Sequence, residues 1–120
     1  MSTSDHTPLR ERLRTDLTAA LKGRDRATAS VLRATLGAIE NAESAGVPAG
    51  TGPLAVELVP LGLGTAEAER RVLTEADVAD VVRAELAERE DAAAEYERLE
   101  RAEQAAVLRT EAALLARYLS

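Results

Sequence analysis

The stretch Ser30–Glu43, SVLRATLGAIENAE, decides how the rest of the chain is read. Leu32, Thr35, Leu36, Ile39 and Ala42 recur at three- and four-residue spacing, with Val31 at the edge of the set. That is the period of an α-helix with one apolar face. Arg26, Ser30, Arg33, Gly37 and Glu40 share the opposite face, so Arg33 lies away from the aliphatic seam. Asp25 offers a carboxylate to the first free amides and sets the helix at 26–45.

Upstream, TPLRERLRTDLTAALKG carries Leu9, Leu13, Leu17 and Leu21 every fourth residue, which predicts a first helix over 8–22. Thr7 is placed to cap it, Pro8 suits its first turn, and Gly23 suits a left-handed stop. Residues 1–7 read as a flexible lead-in. Only GRD separates the first two helices, a length that folds them into an antiparallel hairpin.

Downstream, residues 46–73 hold most of the Gly and Pro and read as an insertion loop, with LAVELV inside it pinned by leucines or serving as a partner-binding motif. Thr74 followed by Asp77 resembles a capping box and opens a third helix over 75–99. Val78, Val82, Leu86, Ala93 and Tyr96 form its buried face, interrupted by Arg89. Ala105, Leu108, Ala112, Leu115 and Leu119 mark a fourth helix over 102–119 at coiled-coil-like spacing. The linking RLERAEQ has neither Gly nor Pro, so local signals also fit one continuous helix. The fold expected is all-α: four helices as two antiparallel hairpins in a single domain over 8–120.

Composition agrees. The 120 residues include two Tyr, no Phe and no Trp, so the core must be built from many small aliphatic contacts. With no Cys there is no disulfide framework or thiolate nucleophile. The polar opening MSTSDHTPLRERLRTD and the lack of a long apolar run lead us to expect a cytoplasmic protein without a membrane anchor. The net charge of −6 is unevenly spread. Residues 1–33 carry seven Lys/Arg against four Asp/Glu, a balance of +3; the remainder carries eight against seventeen, a balance of −9. An anionic partner would meet the N-terminal third.

The sequence offers little to a catalyst. His6 is the single histidine, in the N-terminal lead-in, and Ser30 and Thr35 have no evident activating base. GTGPLAVELVPLGLGT lacks the Gly-Lys-Ser/Thr ending of a phosphate loop. Glu88, Asp91 and Glu95 share one helix face and read as a solvated acidic surface rather than a cation site. Arg89 reads as a structural partner for a neighbouring carboxylate. We expect no catalytic residue, cofactor or metal. The candidate binding residues are basic: Arg10, Arg14, Lys22, Arg26 and Arg33, on two helices that lie side by side and suited to phosphate contacts. Glu11, Asp16 and Asp25, and the scarcity of aromatic stacking platforms, weigh against a nucleic-acid surface.

Leu9–Glu43 (LRERLRTDLTAALKGRDRATASVLRATLGAIENAE) and Leu73–Leu119 (LTEADVADVVRAELAEREDAAAEYERLERAEQAAVLRTEAALLARYL) together resemble the GatB/YqeY family. The likeness lies in the Arg-Asp turn, the Ser-Val-Leu-Arg segment, the Leu-Thr helix start, the Glu-rich middle and the Tyr-Leu end. It departs from the pattern at 46–72, where members have a short link, and at Glu100, where the family pattern has a glycine. Fuller members also continue into a small C-terminal helical subdomain. The resemblance implies an all-helical module akin to the tail of the B subunit of tRNA-dependent amidotransferase, with tRNA or a translation-related protein as partner. It brings a family label of carbon–nitrogen ligase using glutamine as amide donor, although the catalytic domains of that enzyme are not in this chain. A protein-interaction or self-association module is the alternative, motivated by the net acidity and the coiled-coil-like fourth helix.

Overall fold

The computed structural model describes residues 7–45 and 72–120. The expectations for the N-terminal lead-in and for nearly all of the 46–73 insertion lie outside the described residues. Within them are four helices and no strand: α1 (Leu9–Lys22), α2 (Arg26–Ala45), α3 (Glu75–Arg98) and α4 (Ala102–Ala116). The architecture is all-α. The most extensive packing is of α1 on α2 and of α3 on α4, and the two hairpins meet chiefly through α2 against α3.

One aliphatic core draws on all four helices. Leu13, Leu32, Ile39, Val82 and Leu115 are fully enclosed, and Leu9, Val31, Leu36 and Val78 complete the cluster. Thr35 is buried among them without penalty, because its hydroxyl donates to the Val31 carbonyl at 2.8 Å. Because α2 packs on α1, α3 and α4, its buried residues from Val31 round to Ala29 span roughly 160° at 100° per residue. Val31 stands at one end of that arc, the edge position expected of it, and is buried there at 2% exposure.

The leucine stripe of α1 also behaves differently from its expected form. A four-residue step overshoots one turn by roughly 40°, so Leu21 lies roughly 120° round the helix from Leu9. Leu9 and Leu13 are buried, Leu17 is partly covered and Leu21 is 50% exposed. Ala20, roughly 20° from the direction of Leu9, is buried instead.

Helix ends show where local signals were sufficient. The Thr74–Asp77 capping box forms in both directions, at 3.0 Å each way. Asp25 accepts from the Thr28 amide at 3.1 Å and caps α2. Thr7 does not cap α1. Its place is taken by Glu75 at the start of α3, whose carboxylate accepts from the Leu9 amide at 2.7 Å. The left-handed residue after α1 is Arg24 (φ 59°), not Gly23 (φ −84°). The Asp25 amide reaches back to the Ala20 carbonyl at 2.8 Å and the Arg24 amide to Leu21 at 3.2 Å, a Schellman closure. Glu100 (φ 61°) repeats it after α3, with Arg101 bonded to Tyr96 and Glu100 to Glu97. That turn separates α3 from α4 without a glycine.

Beyond Ala116, successive i to i+3 bonds from Arg117, Tyr118 and Leu119 tighten the chain, so α4 ends earlier than the expected residue 119. Arg89, mostly covered at 13% side-chain exposure, pairs with Glu85 at 3.0 Å and Glu111 at 3.1 Å, the structural role expected of it.

Candidate nucleic-acid interface

The five basic candidates are not gathered in one place. The same drift that exposes Leu21 carries Lys22 roughly 120° round α1 from Arg10. Arg10 and Arg14, near the start of α1, face the end of α2. Arg10 pairs with Glu43 at 2.5 Å, and both arginines border a depression that also holds Glu40. Arg10 is neutralised by that pairing, while Arg14 makes no ion pair among the described residues but shares the depression with Glu40 and Glu43, whose charge opposes an anion there.

Arg26 and Arg33 sit at the other end of the hairpin. They are seven residues apart, which returns them to within roughly 20° on the same face of α2. With Arg24 they rim an open depression of about 520 Å³ beside the α1–α2 turn. Buried Ala20 and Ala29 form its floor with the half-exposed Leu21, and Asp25 and Ser30 complete the wall. Lys22 is exposed on the adjoining last turn of α1. Among the described residues, none of Lys22, Arg24, Arg26 and Arg33 has an ion-pair partner. Asp25 is the counter-charge at this end. Hydrogen bonds from the Thr28 side chain and amide hold its carboxyl below the usual range, so it is ionised at neutral pH.

Sequence reading passed over Arg24, because Gly23 was the natural candidate for the left-handed position. The signal was the RD pair that follows it: a Schellman closure places its left-handed residue one beyond the last residue of the helical turn.

A second cluster joins the C-terminal turn to α1. The Tyr118 hydroxyl donates to Asp16, and the Arg12 guanidinium lies over the Tyr118 ring at 5.2 Å from its centroid. Burial, then the bond to Asp16, raise the Tyr118 hydroxyl well above its ordinary value of 10. The neutral phenol ties the C-terminal turn to α1.

The acidic trio of α3 stays at the surface: Glu88, Asp91 and Glu95 are all exposed, and Glu95 is bonded to Arg98. Among the described residues no group of three His, Cys or carboxylate side chains converges in a metal-binding arrangement. No described helix is long and apolar enough to cross a membrane. Comparison of the chain with protein-family models, curated proteins and solved structures finds no match.

Proposed function

We propose that this chain is a non-catalytic helical module that holds RNA, with tRNA as the ligand that its GatB/YqeY resemblance implies. The supporting observation is the cationic end of the first hairpin, where Lys22, Arg24, Arg26 and Arg33 stand without carboxylate partners among the described residues. Phosphate contacts of this kind position a backbone and supply salt-sensitive affinity. The cations near Glu40 and Glu43 contribute little on this reading, which narrows the surface to one end of α1 and α2. On the same reading the amide-transfer label belongs to partner domains, the chain acts without metal or cofactor, and its place is the cytoplasm beside the translation machinery.

Titration of labelled bulk tRNA by fluorescence anisotropy tests this. Binding is expected to weaken with salt along a log–log slope of about −3, near −0.7 for each of four contacts. The triple change R24Q/R26Q/R33Q should abolish most of it, while Arg10→Gln leaves it nearly intact. Absence of binding at low salt removes the RNA reading and leaves protein interaction or self-association.

A further inference from the structure

We propose that the depression beside the α1–α2 turn receives one unstacked nucleotide of a single-stranded RNA segment, its base on the Leu21–Ala29 floor and its flanking phosphates on Arg24, Arg26 and Arg33. This rests on the RNA reading above and adds what part of an RNA the site takes. A phosphate backbone needs only cations. The centre of this cationic end is instead concave and aliphatic, with Leu21 half exposed and about 520 Å³ of open volume. An apolar floor inside an arginine rim matches a nucleotide's own anatomy, a flat base carried on anionic linkers.

The chain has two tyrosines and no other large aromatic, and Tyr118 is committed to Asp16 and Arg12. Neither tyrosine lines the depression, so on this proposal a base packs on the aliphatic floor and the guanidinium planes. Arg24 lines the depression from the left-handed position of the Schellman closure that ends α1, the same backbone step that Glu100 takes after α3. At the wall, the ionised Asp25 carboxylate only accepts hydrogen bonds, so it suits an exocyclic amino group such as that of cytosine. Uracil carries no exocyclic amino group and presents a single N3–H donor flanked by two carbonyl oxygens, which the carboxylate repels.

The test is anisotropy titration of the full chain with labelled 12-nucleotide oligo-C and oligo-U, a 12-base-pair RNA duplex, bulk tRNA and a poly-glutamate peptide. Oligo-C should bind more tightly than both oligo-U and the duplex. Leu21→Ser, at an exposed position that leaves the core alone, should weaken oligo-C about fivefold with an unchanged salt slope. Arg24→Gln should reduce the magnitude of that slope by about 0.7. If the duplex equals or exceeds oligo-C, or Leu21→Ser changes nothing while tRNA still binds, the nucleotide pocket is wrong and the phosphate surface survives. Failure to bind any RNA, tRNA included, removes both, and binding of poly-glutamate alone reassigns the depression to an acidic protein.

Discussion

Arg24 and Glu100 hold backbone angles that their side chains disfavour. Both occupy the left-handed step of a Schellman closure, where an L residue costs about 1–2 kcal/mol relative to its usual regions. Glycine removes that cost but gives back part of the gain through a freer unfolded chain, about 0.4–1 kcal/mol. Glu100→Gly should therefore stabilise the protein by about 0.5–1 kcal/mol, read as a higher urea midpoint with an unchanged m-value. Arg24→Gly should give a similar stability gain yet weaken tRNA binding, because it removes one rim cation. An Arg24→Gly protein that is more stable and binds tRNA as before would separate Arg24 from function. Gly37 is another residue where space decides the outcome. A Cβ there meets nothing within 4 Å, so Gly37→Ala should stabilise α2 by about 0.5–1 kcal/mol in the same denaturation assay.

At the scale of elements, what the sequence made legible is what a short repeat encodes. Leu13, Leu32, Ile39 and Val82 were recognisable as core because each sits near the middle of a helical stripe, and Leu115 because it belongs to one. Leu21 was misjudged because periodicity locates the centre of a buried arc, while tertiary packing sets its width and where it drifts out of contact. The split of the basic stripe has the same geometric origin, since Arg10 and Lys22 diverge just as Leu9 and Leu21 do. Caps divided likewise. The Thr74–Asp77 box is local and was readable, whereas Glu75 capping α1 joins positions 66 residues apart and depends on the two hairpins docking. Between α3 and α4, Glu97 meets Arg109 through two bonds, at 3.1 and 2.8 Å. Arg109 holds the Glu97 carboxyl below its ordinary 4.5, chiefly through the hydrogen bond and then through its charge. The stabilising contribution is complete above 4.5 and is lost as pH falls through the lowered folded value. Glu97→Gln should accordingly melt below the wild type at neutral pH, and the two thermal midpoints should converge as the pH is taken well below 4.5.

The whole molecule raises the question of whether two hairpins make one cooperative unit. Each hairpin has its own internal contacts, and nothing about the α1–α2 or α3–α4 packing alone requires the other pair. The core argues for unity. Leu9 and Leu13 of the first helix, Val31, Leu32, Leu36 and Ile39 of the second, Val78 and Val82 of the third and Leu115 of the fourth belong to a single cluster. Two polar ties span the same divide: Glu75 to the Leu9 amide at one end of α1, and Tyr118 to Asp16 further along it. Truncating Leu115, which is fully buried, should cost about 2–5 kcal/mol for the lost contacts and the cavity. If the hairpins unfold together, Leu115→Ala must raise the opening of α1 amides as much as that of α4, although α1 keeps its own sequence and its partner α2. Hydrogen exchange resolved along the chain reads this directly. Equal acceleration in Leu13–Ala20 and Ala105–Ala112 is expected from a shared core. Acceleration confined to α3 and α4 would mean two independent hairpins, and the cationic end of α1 and α2 would then be shaped without help from the acidic half of the chain.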